Sequence, residues 1–129
     1  MPRTIHNPDD VVDSTQYGYN QAVETDDHLY VSGQPGWDDT GAVAEGIEAQ
    51  THQALDNVEK VLSTAGYGIG DVAKVTCYLV DPHANLESFL GVWDDRLPEP
   101  RPCNTIVGAP ALALPDFQVE LDVEVPLTE

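Results

Sequence analysis

Arg101 is one of only five basic residues in a chain with 23 acids, and it stands next to Cys103 and Asn104. A lone guanidinium in so acidic a chain is either a structural counter-ion or a ligand for an anion. Further on, Phe117, Val119, Leu121, Val123 and Val125 alternate strictly with Gln118, Glu120, Asp122 and Glu124. A period of two is a strand signal, and here it aims three carboxylates at one face. On the residues alone, Glu120 and its neighbours read as a solvated strand face.

Other residues with chemical potential are fewer. Tyr19 reads either as a pocket wall or as an edge aromatic. Ser32 and Gly33 would act through their backbone, because no nearby His pattern resembles a nucleophilic triad. Cys103 reads as a small pocket-lining residue rather than a nucleophile. Trp37, in a loop rich in Gly and Asp, either covers a planar ligand or anchors the loop, and the anchor is favoured. His6, His28, His52 and His83 share no ligand spacing, and Cys77 and Cys103 form no CxxC pair. Neither a metal nor a cofactor is expected.

The formal net charge of −18 bounds the partners. Such a surface repels phosphate backbones and anionic lipid, so nucleic-acid and membrane binding are disfavoured. The acids are spread along the chain, and hydrophobic periodicity argues against a disordered acidic segment. They read as a solvation device for high salt, where the Debye length falls to roughly 3 Å at 1 M. Without a basic-then-apolar leader, a long apolar run or a disulfide pattern, a cytoplasmic protein with reduced thiols is expected.

The elements that must position these residues follow from periodicity. Strands are predicted over 17–23 and 28–32, joined by a turn at Asp26-Asp27, and later over 72–80, 104–107 and 117–125. Ile47, Thr51, Ala54, Leu55, Val58, Val61, Leu62 and Ala65 recur at helical spacing, with Gly66 as the natural stop. Asn85 is the expected N-cap of a second helix ending near Arg96, with Leu86, Phe89, Leu90 and Trp93 inward. Residues 1–16 read as irregular. The order is β-β-α-β-α-β-β in one domain, 1–129, with an α+β architecture: a mixed sheet with both helices on one face. The sheet's second, half-polar face is a candidate subunit interface.

In this arrangement the chain resembles the Rid family of reactive-intermediate deaminases, also called YjgF-like or L-PSP proteins. Tyr19-Asn20-Gln21-Ala22-Val23 looks like the family's YxQxV, and Ser32-Gly33-Gln34 like its SGQ. Gln53-Ala54-Leu55-Asp56-Asn57-Val58 resembles its first-helix QxLxNV. Asp71-Val72-Ala73-Lys74-Val75-Thr76 resembles the start of its third strand, and Val119-Glu120-Leu121-Asp122-Val123 its terminal VEIEA strand. The resemblance implies a chorismate-mutase-like fold and a homotrimer with small-molecule pockets between subunits. It also implies hydrolysis of 2-imino and 2-enamino acids to 2-oxo acids and ammonia. In that chemistry an Arg clamps the substrate carboxylate, a Glu of the last strand positions water, and the SGQ backbone and the Tyr line the pocket. The implied site residues are Glu120 and Arg101 for catalysis, and Tyr19, Ser32, Gly33, Cys103 and Asn104 for substrate.

One departure divides the reading. Deaminase members carry Arg-Ser/Thr-Cys/Thr before the short strand. Aligning Arg101-Pro102-Cys103 with it keeps the Arg and the Cys. Aligning Thr105-Ile106-Val107-Gly108 with the family's frequent TTVG puts Asn104 at the Arg position, and the spacing to Leu114-Pro115 favours this second register. Without the Arg, a trimer that binds a small ligand but does not deaminate is the alternative.

Overall fold

A computed structural model describes residues 2–127. Seven strands and two helices follow in the order β1 (Thr4–His6), β2 (Ala22–Glu24), β3 (His28–Val31), β4 (Gln34–Pro35), α1 (Ile47–Thr64), β5 (Lys74–Val80), α2 (Pro82–Arg96), β6 (Cys103–Ala109) and β7 (Val119–Pro126). The predicted core order is present, with two short strands, β1 and β4, added at the front.

β7 is the centre of the sheet. On one side it pairs antiparallel with β5; on the other it pairs with β3 at its C-terminal end and with β4 near its start. β6 lies parallel to β5 at one edge, and β2 and β1 extend the other. The alternation read from the sequence explains the placement. Val119, Leu121, Val123 and Val125 are buried under the helices together with Val75, Cys77 and Leu79 of β5. Gln118, Glu120 and Asp122 line the opposite face, half-buried, and Glu124 is exposed.

α1 matches the sequence reading closely. Its buried stripe of Thr51, Ala54, Leu55, Val58, Val61 and Leu62 packs on β7 and β4. Gly66, at φ +89°, ends it, and the amide of Tyr67 donates back to the Leu62 carbonyl. α2 departs from expectation at its start. Pro82 opens it a turn early, because a proline at the first helical position loses no intrahelical bond. Asn85 is therefore not the cap; its side-chain amide donates to the Val80 carbonyl at the end of β5 (2.7 Å). Phe89, Val92 and Trp93 form the inward face of α2, whereas Leu86 and Leu90 are exposed.

The other differences lie near the N-terminus. Residues 14–17 form a 3-10 turn, so Tyr17 does not start a strand, and β2 begins only at Ala22. Gly18, at φ +91°, takes a left-handed conformation that side-chain-bearing residues rarely adopt and breaks the extended run. Among the described residues no helix is long and apolar enough to cross a membrane.

Candidate functional site

A cleft of about 510 Å³ opens where β3, β4 and β7 meet the loop before β7. Its polar side consists of Ser32, Gly33 and Glu120; Tyr17, Tyr19, Pro35, Trp37, Leu114 and Phe117 supply most of the rest. Among the described residues, no Lys, Arg or His lines it. A second depression of about 400 Å³, around residues 43–46 and Asp116, contains neither Glu120 nor Tyr19. The first cleft holds Glu120 and Tyr19, whose pKa values are both raised, by burial first and then by neighbouring charges, and that combination marks candidate chemistry.

Local folding explains how each group arrives there. Glu120 sits on the outward side of β7, opposite Pro35 of β4 and Tyr78 of β5. Its carboxylate lies against Gly33, where any Cβ would overlap Oε2. Burial raises its pKa above the usual carboxylate range, and the charge of Asp122 raises it further. Among the described residues, no side-chain hydrogen bond engages this carboxylate. Tyr19 is held by the preceding turn: Ser14 Oγ donates to the Tyr19 carbonyl (2.7 Å), and the Tyr19 amide donates to the Ser14 carbonyl (3.3 Å). Desolvation first, then the charges of Glu120 and Tyr17, push the Tyr19 pKa up, so its phenol stays a hydrogen-bond donor at neutral pH.

Ser32 acts through its backbone position. Its hydroxyl is engaged, donating to the Asn20 carbonyl (2.7 Å). Buried Gln34 secures the bend, donating to the Gln21 side-chain oxygen (2.8 Å) and to the Ser32 carbonyl (2.9 Å). Two side chains of α1 fix the cleft walls. Asn57 donates to the carbonyls of Pro35 (3.0 Å) and Trp37 (2.8 Å). Gln50 donates to the Asp116 carbonyl (2.9 Å) and accepts from the Gln118 amide (2.8 Å), holding the segment that carries Phe117. The aromatic rings then pack on one another. Trp37 meets Phe117 edge-on at 5.1 Å and lies roughly parallel to Tyr17 at 6.1 Å.

Of the residues singled out in the sequence, Tyr19, Ser32, Gly33 and Glu120 come together in this cleft. Arg101, Cys103 and Asn104 do not. They lie at or before β6, and β5 separates that strand from β7. The Arg101 guanidinium donates to the carbonyl and the carboxylate of Asp94, each 3.2 Å away, and its Nε lies 3.4 Å from Glu99 Oε2. Within one chain it is thus a counter-ion. Asn104 Oδ1 faces the Cys77 thiol (3.2 Å), which burial pushes up to about 12 and so keeps protonated. Cys103 is exposed at the sheet edge.

Tyr17, Trp37 and Phe117 are the parts that the sequence reading missed or undervalued. Trp37 does anchor its loop, as expected, but it also walls the cleft. The available signal was a concentration of aromatic residues near Gly-rich loops, which does not say where the rings converge.

Residues 11–126 match the family model described as Endoribonuclease L-PSP. A RutC family protein of Pyrococcus horikoshii is 43% identical over 65 residues, which is 49% of this chain and 52% of that protein. A protein of Salmonella typhimurium named 2-iminobutanoate/2-iminopropanoate deaminase is 32% identical over 111 residues, covering 81% of this chain and 83% of its own. The solved structure of protein YJGH superposes with a TM-score of 0.91 at 29% identity, covering 100% of this chain and 99% of that one.

Proposed function

Since the chain belongs to the Rid (YjgF/L-PSP) family, we propose that it hydrolyses the C=N bond of 2-imino acids or their 2-enamino tautomers. Water adds to the imine carbon, the resulting carbinolamine loses ammonia, and a 2-oxo acid remains. The observation that carries this reading is the Glu120 carboxylate. It is half-buried against Gly33, free of side-chain hydrogen bonds among the described residues, and raised in pKa. A carboxyl group tuned in this way can hold a water for attack and pass a proton to the departing nitrogen. Tyr19 offers a neutral hydroxyl donor beside it. An imine needs little activation beyond protonation and a placed water, so positioning carries most of the catalysis.

The substrate's carboxylate calls for a cation that the cleft of one chain does not supply. In this reading the protein is a homotrimer, and the exposed β6 edge of a neighbouring copy closes the cleft. That edge would bring Arg101 or Asn104 toward the ligand. The half-polar outer face of β5 and β7 supports such packing. The second reading, a trimer that binds a small ligand without deaminating it, is favoured by the pairing of Arg101 with Asp94 and Glu99. Ribonuclease chemistry is opposed by the net charge of −18, since phosphate recognition needs a basic footprint.

The deciding experiment measures 2-oxo acid release in molar salt, from imines generated in situ by an amino-acid oxidase, with light scattering to establish the trimer. Turnover that collapses in Arg101→Ala but not in Asn104→Ala makes Arg101 the clamp. Negligible wild-type turnover that Asn104→Arg raises places the clamp position at Asn104. A folded trimer with no turnover in any variant leaves the binding reading, and a monomer removes the shared cleft altogether.

A further inference from the structure

We infer that the cleft selects substrates with a large, planar apolar side chain and that Trp37 sets this preference; the inference rests on the deaminase reading above. The polar groups of the cleft are gathered at Glu120, Ser32 and Gly33, and the aromatic rings form a second cluster. If the reacting C=N carbon sits at Glu120, the substrate's side chain is left to the aromatic cluster. A methyl group would occupy little of a cleft of about 510 Å³. A phenyl ring could lie against Trp37 and take the offset or edge-on contacts that aromatic pairs prefer.

Three features distinguish this wall from ordinary core packing. Within one chain Tyr17 is 60% exposed and Trp37 is partly exposed, so the aromatic surface facing the cleft is left for a ligand to cover, in a chain whose surface is otherwise strongly acidic. Phe117, only 3% exposed, fixes the wall from behind. The backbone that carries Trp37 is pinned by Asn57, so the wall is preformed and little ordering entropy is lost on binding.

The test compares imines generated in situ from phenylalanine, leucine and alanine. The expected result is a kcat/KM about ten-fold or more higher for the phenylalanine imine than for the alanine imine, as an apolar pocket discriminates by size. In Trp37→Ala that ratio should fall about ten-fold, toward one, and in the better-packed Trp37→Leu it should fall part of the way. Turnover with no preference, or a preference for the alanine imine, overturns the inference and leaves the deaminase reading intact. If no imine is turned over, the deaminase reading fails. The wall is then tested by titrating wild type with the 2-oxo acids of phenylalanine and alanine and following tryptophan fluorescence. Trp93 is buried, so a cleft ligand reports through Trp37. Tighter binding of the phenyl compound upholds the aromatic preference, and equal binding overturns it.

Discussion

Gly33 and Glu120 are a matched pair: the carboxylate of one occupies the space where the other lacks a side chain. β3 and β4 both run beside β7, and the chain crosses between them at Ser32-Gly33, so this is the point where a glutamate of β7 meets bare backbone. Gly33→Ala would push the carboxylate out of place. The overlap falls on the end of a flexible side chain, so the fold should survive with a melting shift of only a few degrees. If Glu120 is the catalytic carboxylate proposed above, turnover should fall roughly 10- to 100-fold, because a displacement of about an ångström costs that much. Thermal melting and imine hydrolysis measured on the same preparation check both halves.

The pH dependence of stability has a definite sign. Glu120 and Asp122 both have pKa values raised by burial first and by a neighbouring carboxylate second. The unfolded chain gives up these protons at lower pH than the folded chain does. Between the unfolded and folded pKa values the folded state binds more protons, so stability falls as pH rises through that window. Glu120→Gln should therefore stabilise the protein relative to wild type above the window and lose that advantage in acid below it. Melting curves from pH 3 to pH 8 would contradict this if the advantage were as large in acid as at neutrality.

Asn57 joins α1 to both backbone carbonyls that carry the Pro35–Trp37 wall. It is 1% exposed, so no water replaces it readily. Asn57→Ala should cost about 1–3 kcal/mol through the stranded carbonyls. Ligand affinity should fall with it as Trp37 loses its fixed position. Denaturant unfolding and tryptophan fluorescence measure the two effects.

Salt should stabilise this protein. With net −18 and the acids spread over the chain, self-repulsion is strongest at low ionic strength. The melting temperature is expected to climb from millimolar to molar sodium chloride as screening shortens the reach of each charge. A flat curve would mean that the acids are already neutralised locally.

Much of the architecture could be read from periodicity. The alternation over 117–125 and the stripe from Ile47 to Ala65 report burial directly, because a side chain's period is set by the backbone that carries it. β7 and α1 appear as those patterns require. Short elements escaped because two or three residues make no period. β1 and β4 exist only through their pairing with distant strands. The extended reading of residues 17–23 holds at Ala22 and Val23 but not before them, where a 3-10 turn runs through Tyr17 and closes at left-handed Gly18.

The sequence by itself determined the family, the sheet with its two helices, and Glu120, Tyr19, Ser32 and Gly33 as site candidates. These follow from local patterns and ordered motifs. Only the tertiary structure decided which candidates meet within one chain. Arg101, Cys103 and Asn104 stand in the same chain as Glu120, yet β5 lies between their strand and β7. Tyr17, Trp37 and Phe117 come from three separate segments, drawn together by hydrogen bonds from α1 and by the turn at Gly18. Convergence of that kind is a property of strand order and loop closure, which side-chain spacing along the chain does not encode.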